Sequence, residues 1–358
     1  MSLIYEDDLG YFISHADFIG KIYENVNVKD TSKSFKFQND LFKIKYPYKK
    51  LKIRNRLKRK LEDVECNSSF RSEVDHVKNL YSLFYNNLIT NEVIQINSSS
   101  DKDARNEEAL AAGQNLYDTS GLYNVKDVIG ENTNEAVEVE MQGTHYIFPE
   151  NCKFYCSAVN NITKHLENER FDVILLDPPW WNKYIRRKKA KVNNTYAMMY
   201  NDDLKGLPIE DLISETGLVI VWCTNSTTHL SYLKEVILEK WKVKYMRKWY
   251  WMKVTITGEP ICNFSEPPGK QTFEQIVFAA RDRDIFVDIP DERLVVSVPS
   301  ALHSHKPPLE KLLQKFLPVN SKRLEIFARY LLPNWTSYGL EAIRFQHCSL
   351  YEENNNNS

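Results

Sequence analysis

Phe171-Asp172-Val173-Ile174-Leu175-Leu176-Asp177-Pro178-Pro179-Trp180 is the stretch on which the fold turns. Its first six residues are mostly β-branched or large and apolar, and the run is short, which predicts a strand. The unbroken apolar segment Val173 to Leu176 suits a strand buried on both faces, as in a parallel sheet. Pro178 and Pro179 lack a backbone N–H and hold φ near one value, so the strand must stop there. Asp177 and Trp180 are therefore expected on a stiff turn just past the strand's carboxyl end, the edge at which open α/β sheets bind ligands. The four residues also make chemical sense together. An exocyclic amine on a base such as adenine is a poor nucleophile, because its lone pair is drawn into the ring. The Asp177 carboxylate and the Pro178 carbonyl are two rigid acceptors for one NH2 group; they would localise that lone pair and aim it at an electrophile. Trp180 adds a flat face on which a base could stack. The plainer alternative is a strand, a proline turn and a packed Trp.

Outward from this stretch, strands alternate with helices, which implies a mainly parallel α/β sheet. Strands are expected at residues 154–159, 217–222, 245–254, 273–281, 293–298 and 323–328. Helices are expected at 229–241 and 308–316, each with an apolar stripe. Trp249 and Trp251 share one strand face, and core packing is the better reading of them. Residues 258–272 hold three prolines and two glycines and read as a long loop near a site. Directly after the proline turn, six of the nine residues 183–191 are basic. Such a loop reads as a phosphate-binding lip, with a localisation-type cluster as the alternative.

Together with Asp177-Pro178-Pro179-Trp180, three further segments carry a resemblance. They are residues 297–308 (SVPSALHSHKPP), Leu324-Glu325-Ile326-Phe327-Ala328-Arg329, and Pro333-Asn334-Trp335-Thr336-Ser337. On these, the chain from about Phe154 to Phe345 resembles the MT-A70 family of S-adenosylmethionine-dependent adenine-N6 methyltransferases. The resemblance implies a Rossmann-like methyltransferase fold in permuted motif order, which would account for the lack of a GxGxxG loop. It implies S-adenosyl-L-methionine as methyl donor and a catalytic turn of Asp177, Pro178, Pro179 and Trp180. Cofactor contacts would come from Ser157, Ala158, Asp177, Lys306, Arg329 and Glu341. Lys306 would meet the donor's methionine carboxylate and Arg329 its ribose. Ser157 stands where the family commonly has Asp, and Leu340 where it has Asn. Substrate contacts are expected from Trp181, Asn182, Lys183, Arg186, Arg187 and Lys188. The implied substrate is an unpaired adenosine in RNA, such as a 2′-O-methylated adenosine of a U2-type small nuclear RNA. DNA is the runner-up, and a catalytically weak nucleic-acid-binding scaffold is the reading from another class.

The remaining sequence sets bounds. A chain of 358 residues with 42% hydrophobic and 12% aromatic content can build a large core. A net charge of −1 hides local asymmetry: residues 43–60 hold ten basic residues and no acidic one, while 101–140 hold ten acidic against three basic. The basic run, interleaved with Tyr46 and Tyr48, suits a nuclear localisation signal or a nucleic-acid contact better than a solvated helix face. An amphipathic helix is expected over residues 73–89, and a partial one over 103–116. The expected organisation is a basic nucleic-acid-binding or regulatory region at 1–145, a methyltransferase domain at 146–350, and a disordered tail at 351–358. The six cysteines are scattered without a CxxC pair, which fits a reducing compartment and argues against zinc. His303 and His305 lack further metal ligands at useful spacing. No apolar run spans a membrane and no secretory leader opens the chain. A nuclear or also cytoplasmic monomer is the expectation.

Overall fold

The computed structural model describes residues 2–48, 64–94, 106–121, 127–181, 198–265 and 269–354. An eleven-stranded sheet forms its centre. Numbered in chain order within that sheet, the strands are β1 (Leu3–Glu6), β2 (Gly10–Ile13), β3 (Val128–Asn132), β4 (Cys152–Cys156), β5 (Phe171–Leu176), β6 (Ile213–Cys223), β7 (Lys244–Lys253), β8 (Phe273–Ala280), β9 (Leu294–Ser297), β10 (Arg323–Ile326) and β11 (Trp335–Tyr338). Their spatial order is β1-β2-β9-β7-β8-β6-β5-β10-β11-β4-β3. Strands β1, β3 and β8 are antiparallel to their neighbours, and the others share one direction.

Strand β5 behaves as its composition requires. Val173 and Leu175 enter the core on one face, and Ile174 and Leu176 enter the core on the other. It pairs in parallel with β6 on one side and β10 on the other. From β5 the chain continues to β6, away from β10; from β10 it continues to β11, away from β5. The order therefore reverses between β5 and β10, and the crevice beyond their carboxyl ends is where such sheets hold ligands.

The residues before 145 do not stand apart from this sheet. Strands β1 and β2 extend it, β2 pairing in parallel with β9. The helix Val64–Thr90, longer than the expected 73–89, lays Val74, Val77, Tyr81, Phe84 and Leu88 against Tyr250, Met252, Leu294 and Val296 of the sheet. Cα periodicity found its apolar stripe, but the boundary expected at 145 rested on composition, which cannot report sheet pairing. The helix Glu107–Gly121 packs on the loop after β9 so tightly that a Cβ on Gly113 would lie 2.7 Å from the Ala301 carbonyl oxygen. Three residues of the expected tail form a strand. Tyr351–Glu353 pairs antiparallel with Phe35–Phe37, and Lys33 meets Glu353 at 2.9 Å. The helix expected at 229–241 is interrupted by a π turn over Leu233–Ile237, and that expected at 308–316 is reduced to Glu310–Leu313. No helix among the described residues is long and apolar enough to cross a membrane.

One polar chain links the long helix to the ligand-binding edge. Glu73 pairs with Lys248 and accepts from Tyr250 Oη at 3.3 Å and from Gln275 Nε2 at 3.3 Å. Gln275 Nε2 also donates to Asn225 Oδ1 (3.3 Å), whose amide reaches the Phe273 carbonyl at 2.5 Å. Replacing Glu73 by Ala leaves the largely enclosed Lys248 without its carboxylate, a loss on the order of 1–3 kcal/mol. Urea denaturation of the Glu73→Ala protein is expected to show a lowered midpoint with the slope unchanged.

Candidate active site

The carboxyl ends of β4, β5, β6, β7, β9, β10 and β11 open on one edge, and the antiparallel β8 begins there. Most of the residues singled out from sequence arrive at this edge because they lie in the loops that follow these strands. Asp177 follows β5, and its N–H donates to the carbonyl of Ile326 at 3.3 Å, which fixes the turn across the reversal point. Phe327, the first residue after β10, has φ of 67°. A left-handed backbone at a bulky buried residue is unusual, and such strain clusters at ligand sites.

Four charges form a row at this edge. Lys253 pairs with Glu274, Glu274 meets the Lys306 ammonium at 2.5 Å, and Lys306 meets Asp177 Oδ1 at 3.4 Å. The row alternates in sign and sums to zero. The rings of Trp222 and Trp251 lie beneath Lys306, with centroids 5.3 and 5.8 Å from its nitrogen. Burial opposes the charge on Glu274, but Lys253 and Lys306 outweigh it and hold the carboxyl well below the usual range. Burial raises the Asp177 pKa, while Lys306 and then Arg329 pull it back. Burial works against Lys306 too, and Asp177 and Glu274 more than compensate, so its pKa rises. Glu274 and Lys253 were missed in the sequence. Their signal was weak but present: a charged residue directly after the aromatic run Trp249–Met252 and another beside Phe273 at the start of an apolar strand.

Glu325, one strand residue below the turn, is 4% exposed, and its Oε2 has no hydrogen-bond partner. Burial, with Asp177 adding to it, pushes its pKa up to about 8. At neutral pH this acid is mainly protonated.

The aromatic residues of the turn divide. Trp180 is 8% exposed and belongs to the core; its indole N–H donates to the Trp222 carbonyl at 2.8 Å, and His229 covers it at 5.1 Å between centroids. Its backbone N–H donates to the Pro178 carbonyl at 2.8 Å, occupying one of that oxygen's two lone pairs. The more open indole is that of Trp181, stacked on Tyr200 at 6.0 Å and 21°. Asn182, Lys183, Arg186, Arg187 and Lys188 lie outside the described residues, as does the basic run from residue 49 to 60. Trp249 and Trp251 are buried in the core.

At the far end of the crevice, Ser157 and Ala158 follow β4. Tyr338 Oη donates to the Ala158 carbonyl at 3.2 Å, which anchors that turn. Ser157 is buried and its Oγ donates to Asp127 Oδ1 at 3.3 Å. A carboxylate therefore does stand at this strand end, delivered by the residue before β3 rather than by position 157. Only the antiparallel pairing of β3 with β4 brings it there, so spacing could not reveal it. Arg329 Nε meets Glu341 Oε2 at 3.2 Å, and Glu341 pairs also with Arg344. Leu340 brings no polar side chain to this group. His305 is buried among Phe37, Phe42, Tyr330 and Phe345. Among the described residues no group of three or more His, Cys, Asp or Glu is placed to hold a metal ion.

Two stability predictions follow from these charges. Glu274→Gln removes the carboxylate between two enclosed ammonium groups and is expected to cost about 3 kcal/mol or more at pH 7. Because the folded pKa of Glu274 is depressed, this difference is full above the unfolded value near 4.5, and shrinks as pH falls through the folded value. Glu325→Gln works in the other direction. Its folded pKa is raised, so the wild-type acid loses stability as pH climbs from about 4.5 toward 8. The Gln protein should match wild type at the acid end and melt higher at pH 8. Thermal unfolding across pH checks both.

Comparisons with known proteins bear on the same region. Residues 171–341 match the MT-A70 family model. The mouse N(6)-adenine-specific methyltransferase METTL4 is 33% identical over 235 residues, covering 63% of this chain and 49% of that protein. The N6-methyladenosine RNA methyltransferase MTA1 of Pyricularia oryzae is 33% identical over 231 residues, 61% of this chain and 60% of its own. A Caenorhabditis elegans DNA N6-methyl methyltransferase is 31% identical over 217 residues, 59% and 57%. The chain thus spans about half the length of the METTL4 proteins it matches. The matched segment holds β5 through β11 and, in or after these strands, Asp177, Glu274, Lys306, Arg329 and Glu341: over residues 171–341 the chain is similar to the MT-A70 family.

Proposed function

We propose that the protein is an S-adenosylmethionine-dependent methyltransferase acting on adenine N6 in nucleic acid, with an unpaired adenosine of RNA as substrate. The observation that carries this reading is the Asp177-Pro178 turn at the strand-order reversal, with Lys306 against the Asp177 carboxylate. The donor is a zwitterion with a ribose and an adenine, and the crevice offers a fitting set. Lys306 suits its carboxylate, Glu341 and Arg329 suit ribose hydroxyls, and Asp127 with Ser157 suits the adenine amine. When bound, S-adenosylmethionine supplies a methyl group activated by a positively charged sulfur.

The chain's own residues do the rest. The Asp177 carboxylate and the free lone pair of the Pro178 carbonyl accept the two N–H bonds of the N6 amine. That holds the nitrogen's lone pair out of conjugation and pointed in one direction. Asp177 is also the acceptor for the proton the amine sheds as it is methylated. Both roles need the carboxylate ionised. Burial disfavours that form, and Lys306 and Arg329 oppose burial. Catalysis here is chiefly positioning, since an electrophilic methyl needs no covalent relay through the protein. A base paired in a duplex would first have to leave the stack, so single-stranded substrate is favoured.

The names of the relatives divide between RNA and DNA. RNA is the reading supported by the MTA1 proteins; a 2′-O-methylated small nuclear RNA is the finer form of it. The basic run at residues 43–60 supports a phosphate contact and a nuclear address, and the protein is taken to act as a monomer. A non-catalytic scaffold is disfavoured by the position of the charge row, which places Lys306 and Arg329 against the carboxylate of the amine-orienting turn.

The test is methyl transfer by purified protein to matched RNA, 2′-O-methylated RNA and DNA oligonucleotides, with the modified nucleoside identified by mass spectrometry. N6-methyladenosine is expected, with RNA preferred. Asp177→Ala is expected to lower kcat roughly 10³-fold, with calorimetric donor binding retained. Turnover by the Ala protein at the wild-type rate would refute this mechanism, and absence of donor binding by wild type would favour the scaffold.

A further inference from the structure

Tyr200 is a large aromatic left 60% exposed. It lies against the half-buried Trp181 with nearly parallel rings, 6.0 Å between centroids and 21° between planes. An exposed ring beside a catalytic turn is a candidate contact, and three further features show that this one is held in place. The backbone of Trp181 is hydrogen-bonded to Met199 at 3.1 Å, and Met199 in turn to the Pro179 carbonyl at 3.0 Å, so the segment carrying Tyr200 is tied to the catalytic turn itself. His229 spans the two sides: Nε2 lies 3.1 Å from the Trp181 carbonyl oxygen and Nδ1 lies 2.8 Å from Asn201 Oδ1. The short helix behind Tyr200 is fixed by Asp203, which accepts from the Tyr200 N–H at 2.9 Å, and by Tyr232 Oη on Asp202 at 2.5 Å.

We propose that Trp181 and Tyr200 form a stacking step that takes the base next to the target adenosine in a single strand, and that His229 is the positioning residue that holds the step at the catalytic turn. The inference rests on the nucleic-acid reading above and extends it to a second base. Trp180, which the sequence offered as the stacking face, is enclosed by the core and by His229, so base contact at this edge passes to the ring pair beside it. A ring pair of this kind stacks any base, because every base has a π face; it selects for an unpaired neighbour rather than for a letter. The occupant is a nucleobase and not an apolar peptide side chain. The step adjoins an amine-orienting turn, and the sequence between its two rings carries six basic residues in positions 183–191.

Removing one stacked base contact weakens binding by roughly 5- to 100-fold. The experiment uses the full chain and short RNA and DNA single strands with one adenosine, carrying 2-aminopurine at each flanking position in turn. Wild type is expected to quench the probe at one neighbour of the target. Tyr200→Ala should lose that quenching and raise both Kd and KM about tenfold, with the loss falling on KM and not on kcat. Tyr200→Phe should retain the contact, because the ring and not the hydroxyl carries it. His229→Ala should resemble Tyr200→Ala in KM, while calorimetric donor binding and melting temperature stay within error for the Tyr200 proteins. A Tyr200→Ala protein with wild-type KM and quenching overturns the stacking step while leaving N6 methylation intact. Quenching by a wild-type protein that transfers no methyl overturns the catalytic reading and leaves the step. Binding of neither strand by wild type overturns the step.

Discussion

Everything at the carboxyl edge depends on one contact, the Lys306 ammonium held between Glu274 and Asp177. Each of these groups is enclosed, and each would lose its charge if it stood there alone. Enclosing an ion costs several kcal/mol even after relaxation, and attraction between neighbours returns that only when geometry is good and charges alternate. Here they do alternate, across residues from four separate strands or the loops that follow them. The row acts as a stiff electrostatic brace across the sheet's open edge. It also sets the charge state of the residue that must accept an amine's protons. Fold stability and chemistry share the same atoms.

The arrangement was partly legible in the chain. Val173 to Leu176 announced a strand buried on both faces, because four successive apolar residues leave no polar face, and each pair does enter a separate core. Asp177 was legible because it sits where a strand pattern stops, whereas Lys306 and Arg329 were legible through the segments that carry the family resemblance. Glu274 and Lys253 were not, since a charged residue at a strand end is usually solvated and nothing local says that two such ends meet. Ser157 shows the opposite limit. Position 157 lacks a carboxylate, yet Asp127 supplies one across an antiparallel pair, and no linear spacing encodes which strand will lie alongside. β1 and β2 are four residues each, too short for a period to show, and β2 is placed by a strand more than 280 residues further along.

The same logic explains why Trp180 went inward. Pro178 and Pro179 give the turn no N–H of their own, so beyond the backbone bonds of Asp177 and Trp180 it draws support from side chains. Trp180 gives it by burying its ring and donating its indole N–H to the carbonyl of Trp222 on the neighbouring strand. Rigidity at Asp177 is thereby tied to a residue that is no longer open to solvent, and a separate aromatic pair is left at the surface.

The pairing of β2 with β9 also bears on how the chain is made. Gly10 sits so close to Leu294 that a Cβ there would lie 2.3 Å from the Leu294 carbonyl oxygen, so this strand fits one place only. Yet Gly10 leaves the ribosome on the order of tens of seconds before Leu294 at usual rates of synthesis. During that interval β2, apolar along its whole length, has only β1 beside it, and its other edge is open. That open edge must therefore be kept from other strand edges until Leu294 has been made, and the sheet of this protein is one whose early strands wait for late ones.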